Sequence, residues 1–152
     1  MDLGPLIHNF VNSHLLIAAG LGALIGLERE FAGKDPSLRT FTLICLGNCI
    51  FSLMSVSGSA PAPSTGDPAR IGAQIVSGIG FLGAGAIFRS ERGVSGMTTA
   101  ALMWVTAAIG MAVGFDRIDV AVSGTIITLA LIFSLKIVHR LLDHLRPGPE
   151  NN

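Results

Sequence analysis

Two polar clusters in this chain could do chemistry, and each lies against an apolar run. The first is Gly26-Leu27-Glu28-Arg29-Glu30, followed by Gly33-Lys34 and Leu38-Arg39-Thr40. Glu28 comes directly after the apolar run, with no spacer. An acid at membrane depth is unfavourable unless paired, so it marks a functional site by default. The plainer reading is an interfacial loop in which Glu28, Arg29 and Glu30 pair with each other. The second cluster is Asp67, Arg70, Gln74 and Ser77. Asp67 can cap a helix; Arg70 and Gln74 follow one and two turns later and share a face aimed into a bundle. Here the plainer reading is capping plus an interfacial arginine. Other polar residues inside apolar runs are Asn48, Thr98, Thr99 and Thr106. Such side chains are expected to bridge helices, at ~0.6 kcal/mol each.

No nucleophile stands beside a base, and no spacing suggests a metal-ligand set or a P-loop. His8, His14, His139 and His144 lie near the chain ends. The expectation is a protein that is not an enzyme. No cofactor is evident, and Mg²⁺ has no ligand motif behind it. Cys45 and Cys49 share a helix face inside an apolar run and read as small packing residues.

The elements that position these groups are membrane spans. Of the 152 residues, 50% are hydrophobic and 13% charged. That charge share is about half the ~25% of a soluble domain. Ten acids balance ten bases, so nothing suggests a nucleic-acid partner. The start has no basic n-region and no A-x-A cleavage site, so the first apolar run is expected to be retained.

Five apolar spans can be drawn: Leu6–Leu27, Thr40–Val56, Asp67–Arg89, Met97–Phe115 and Ile118–Val138. Between them lie a charged loop, Glu28–Arg39, a Ser/Pro/Gly-rich loop, Ser55–Gly66, a polar turn, Arg89–Gly96, and a tight turn, Asp116–Asp119. The fifth span is rich in Ile, Leu and Val and should face lipid; a basic tail, Lys136–Arg146, follows it. One membrane domain, 1–146, with a short tail, 147–152, accounts for the chain. The fold class is therefore all-α, a polytopic bundle of about five transmembrane helices. Eight bases fall on one side and only Arg70 and Arg117 on the other. The positive-inside bias puts the C-terminus in the cytoplasm and the N-terminus outside.

The third span has a distinct character. Ile71–Phe88 is 18 residues without charge, roughly 27 Å of helix against a ~30 Å hydrocarbon core. It holds Gly72, Gly78, Gly80, Gly83 and Gly85. Gly78, Gly80 and Gly83 spell G-x-G-x-x-G, but the strand, turn and downstream acid of a dinucleotide site are missing. Close helix packing explains the glycines better and predicts a central, fully surrounded helix. Gly22 and Gly26 in the first span, and Gly110 and Gly114 in the fourth, form similar stripes. One stripe is expected to serve as a homodimer face.

Four stretches carry a family resemblance: Gly22–Glu30, Leu38–Gly47, Ala69–Phe88 and Gly93–Gly110. Together they resemble the MgtC/SapB family of bacterial inner-membrane proteins, over most of Gly20–Gly114. The resemblance implies about five membrane helices, a link to growth at low magnesium, and association with virulence. It also implies a partner, the F-type ATP synthase, proposed for some members. Longer members add a cytoplasmic ACT-like domain, which this sequence, ending at Asn152, is expected to lack. The positions carried over are Glu28, Arg29, Glu30, Gly33, Arg39 and Thr40, then Arg70, Gln74, Ser77, Gly80 and Gly83, then Thr98 and Thr99. The leading functional expectation is a multi-pass inner-membrane protein that acts through other membrane proteins in magnesium homeostasis. The alternative is a small oligomeric transporter or channel for Mg²⁺ or another cation.

Overall fold

The computed structural model describes residues 4–57, 69–91 and 93–145. Five helices and one small hairpin follow in order: α1 Gly4–Phe31, α2 Leu38–Ser57, α3 Ala69–Gly85, β1 Phe88–Ser90, β2 Gly93–Ser95, α4 Met97–Gly114 and α5 Ile118–Leu145. Four of them (α1, α2, α4 and α5) are long and apolar enough to cross a membrane. At 17 residues, α3 is about 25 Å long, near the lower limit of a span. The all-α bundle expected from the sequence is the fold.

Boundaries differ at two charged ends. The first helix does not stop at Leu27. Glu28 and Arg29 are good helix formers, and the chain turns only at Gly33, whose φ is 62°. The predicted Glu28–Arg39 loop therefore shrinks to residues 32–37. Likewise the basic tail is the last turns of α5, which run unbroken to Leu145. The polar turn after α3 is a hairpin pairing Phe88 with Ser95 and Arg89 with Val94. Gly96 closes it at φ 86°, pressed against the Ala86 carbonyl, where a side chain has no room.

Packing centres on α2 and α4. α1 lies antiparallel on α2, and α4 touches α1, α2, α3 and α5. Glycines allow these approaches. A Cβ on Gly22 would come within 2.8 Å of the Phe41 carbonyl oxygen, and one on Gly26 within 2.7 Å of the Leu38 Cα. Gly110 and Gly114 do the same for α4: the first meets the Cys45 carbonyl, the second lies 2.6 Å from that of Cys49. Cys45 and Cys49 are fully buried between these helices, as small packing residues should be.

The central placement expected of α3 is not found. It packs on α4 and, more lightly, on α2, through Gly72, Ile75, Ile79, Gly83 and Ala86. The rest of its circumference is exposed. Among the described residues nothing lies within 4 Å of a Cβ on Gly78, Gly80 or Gly85, so these three glycines are not needed for close helix packing there. Gly83 meets Ala100 at ordinary contact distance. Glycine content alone misled the reading; which side of the helix the glycines occupy decides their role. The G-x-G-x-x-G run lies wholly within this helix, so it forms no strand-to-helix turn.

α5 covers the bundle with one narrow stripe including Ala121 and Thr125, while Ile126, Ile127, Leu131, Phe133 and Leu135 remain exposed. That is the surface a lipid-facing helix presents. Four of the buried polar side chains bond within their own helix, where bridges between helices were expected of Asn48 and Thr106. Asn48, Ser52, Thr106 and Thr125 each donate to the carbonyl four residues back, at 2.7–2.9 Å. One local bond meets the polar requirement without constraining a neighbour.

Candidate functional site

The last turn of α1 carries Glu28 and Arg29 into the bundle, where they are 5% and 4% exposed. Arg29 Nε donates to Glu28 Oε2 at 2.5 Å, and its terminal nitrogen contacts the same oxygen. The other carboxylate oxygen, Oε1, accepts from Lys136 Nζ at 2.5 Å. Lys136 belongs to α5 and sits 108 residues away in sequence. Its ammonium also lies 5.8 Å from the Phe133 ring centre, within cation–π range. One buried acid is thus held by two bases, one on each oxygen. Removing a charge from water is tolerated only when its lone pairs are met in this way.

The rest of the first predicted cluster lies outside this triad. Glu30, Lys34 and Arg39 are exposed and Thr40 is half-buried. Glu30 Oε2 accepts from the Leu38 backbone N–H at 3.5 Å, at the start of α2. Of the predicted pairing among residues 28–30, only the Glu28–Arg29 pair forms. Lys136 was missed as a partner, although a lone base inside an otherwise apolar run is itself a signal.

A second link closes the opposite end of the bundle. His14, 2% exposed, donates from Nδ1 to the Phe10 carbonyl at 2.8 Å and from Nε2 to Asp116 Oδ1 at 3.0 Å. Asp116 sits in the α4–α5 turn with φ 58°. The sequence reading gave no role to this pair.

The second predicted cluster is on the surface. Arg70, Gln74 and Ser77 line the exposed side of α3, not the bundle interior; Asp67 lies outside the described residues. Thr98 is exposed too, whereas Thr99 is buried. Asn48, 6% exposed, lines a groove of about 520 Å³ between α2 and α3, together with Gln74, Gly78 and apolar side chains. Trp104, 52% exposed, borders a small hollow of about 40 Å³ beside Ile75 and Met111. Among the described residues, no group of three His, Cys, Asp or Glu could hold a metal ion.

Comparison with known proteins fits this arrangement. The MgtC family model matches residues 15–141. A protein of Escherichia coli K12, named "Putative magnesium transporter YhiD", is 41% identical over 136 residues, covering 87% of this chain and 61% of its own length. Protein MgtC of Salmonella choleraesuis is 42% identical over 137 residues, covering 90% of this chain and 57% of its own. An uncharacterized protein of Haemophilus influenzae is 37% identical, covering 88% and 58%. The chain therefore spans about 60% of the length of these relatives. No solved structure matches. A bundle of apolar helices with this family match is a membrane protein, and the chain belongs to the MgtC family.

Proposed function

We propose that this chain is a bacterial inner-membrane protein linked to magnesium adaptation, which acts by contact with other membrane proteins and catalyses no reaction. Its C-terminus is cytoplasmic, since the Glu28–Lys136 end carries most of the bases. The magnesium link comes from the family and from the name of the Escherichia coli relative. One observation carries the preference for contact over transport: both oxygens of the buried acid Glu28 are taken by bases of the same chain. Glu28 therefore offers no free ligand to a passing cation, and the buried hydroxyls of Ser52, Thr106 and Thr125 are spent on their own helices. The partner that the family resemblance implies is the F-type ATP synthase.

Reconstitution tests this reading. Liposomes holding the purified chain and a Mg²⁺-sensitive dye should load no faster than empty ones. In inverted membrane vesicles, supplying the chain should lower ATP-driven proton pumping. Substantial Mg²⁺ flux from the chain alone would overturn the proposal. It would favour the second reading, an oligomeric transporter, for which the exposed polar row Arg70, Gln74 and Ser77 would line a shared path.

A further inference from the structure

Two polar links tie α1 to the last part of the chain, one at each end of the bundle. Lys136 meets Glu28 at one end; Asp116, in the turn before α5, meets His14 at the other. Between them α5 is held by its narrow buried stripe, so each link bears on how firmly that helix sits. The His14 link has a requirement of its own.

The Phe10 carbonyl only accepts, so Nδ1 of His14 carries a hydrogen at their 2.8 Å contact. Nε2 and Asp116 Oδ1, 3.0 Å apart, then need a second proton, shared by the two groups. Without it a nitrogen lone pair faces an anionic oxygen, and the contact turns repulsive. Turning the ring away would forfeit the Phe10 carbonyl as well. The ring is buried, with Phe10 stacked 4.1 Å from it, so water does not replace the lost bond. The Asp116 side chain is 66% exposed, which gives the proton a route to bulk water.

Other titratable groups among the described residues are engaged elsewhere. Arg117 and Asp119 pair with each other on the surface, at 3.2 and 3.3 Å. α4 carries no titratable side chain, and α5 carries none between Asp119 and Lys136. On α2 the Cys49 thiol donates to the backbone carbonyl of His14, not to its ring. On α3 Arg70 lies on the exposed side. The backbone of Asp116 adds to the effect. Its φ of 58° is left-handed, a conformation that persists where the surroundings hold it. The bond to His14 is one such hold.

We propose that His14 and Asp116 form a proton-binding site, a latch that ties α1 to the α4–α5 turn while the shared proton is bound and frees the turn when it leaves. The proton passes to water, and one hydrogen bond is lost. The tie is therefore present at low pH and lost as pH rises. It depends neither on the magnesium link nor on any partner.

Hydrogen–deuterium exchange of the full chain in lipid nanodiscs tests it. The amides of Asp116 and Arg117 bond to the carbonyls of Val113 and Ala112, so their exchange reads opening of the turn. From about pH 5 to about pH 9, a range that spans the ordinary charge change of imidazoles, exchange there should quicken about 10-fold beyond the intrinsic pH effect, as for loss of one hydrogen bond to a charged group. Asp116→Asn separates a proton latch from a static contact. Asparagine has the same shape and tolerates the left-handed backbone, and its amide donates to Nε2 of a neutral ring. The variant's turn should stay closed at both pH values. Equal exchange in the parent at both pH values overturns the latch. So does the same quickening in Asp116→Asn, since another group would then cause it. Fast exchange at both pH values in the variant also overturns it, because a bond without the shared proton would then fail to hold the turn.

Discussion

The α1–α2–α4 core and the outer helix α3 are both striped with glycine, yet they use it in opposite ways. In the core, Gly22, Gly26, Gly110 and Gly114 lie where another backbone passes close by. Around α3, Gly78, Gly80 and Gly85 face open space. The charges divide similarly. Glu28 is enclosed by Arg29 and Lys136, whereas Arg70 and Gln74 stand uncovered. The core meets its polar needs within one chain; the polar row on α3 stays on an exposed face. Glycine periodicity therefore reports that a helix can be approached, and the neighbours report by what.

The contrast is most sharply tested at Gly110. Gly110→Leu forces a branched side chain into the α2 backbone, and overpacking of this kind costs about 3 kcal/mol or more. Folded protein should fall below detection by size-exclusion in detergent. Glu28→Ala comes next. It leaves Arg29 buried beside no acid, a loss of about 3–5 kcal/mol, read as a lower thermal midpoint in detergent. If Glu28→Ala were as stable as the parent, the enclosed-charge description of the core would fail.

Lys136→Ala should do much less, about 1 kcal/mol, because Arg29 still holds Glu28 and the lysine side chain is 44% exposed. An Asp116→Ala substitution should also cost about 1 kcal/mol, by removing a charged acceptor from His14. The smallest effect belongs to Gly80→Leu. Its Cβ meets nothing among the described residues, so monomer stability should stay within about 0.5 kcal/mol of the parent. A collapse of the monomer on Gly80→Leu would erase the distinction between the two regions.

Much of the fold was legible before any coordinates. Runs of uncharged residues gave the helices to within about four residues, except for α5, which continues from Val138 through the basic tail to Leu145, because a backbone crossing hydrocarbon must bond within itself and needs about 20 apolar residues to do so. The short turns were visible from Gly33, Pro36 and the Asp116–Asp119 charges. The family match rested on short stretches of the chain. Harder to read was the end of α1. A charged pair after an apolar run reads as a loop unless a partner is known, and that partner, Lys136, is contributed by the far end of the chain. His14 and Asp116, 102 residues apart, were hidden for the same reason.

The sequence by itself determined that this is a bundle of membrane helices, that Glu28 called for a partner, and that the Gly22–Gly26 and Gly110–Gly114 stripes marked sites of close approach. Those conclusions follow from the solvent: hydrocarbon satisfies no polar group, so every charge and every backbone amide at depth implies a partner. Tertiary structure alone decided who the partners are. It placed Lys136 against Glu28 and put α4, not α3, at the centre. It also turned Arg70, Gln74 and Ser77 outward. Periodicity fixes which residues share a face, but only the packing of the other helices fixes which face is covered.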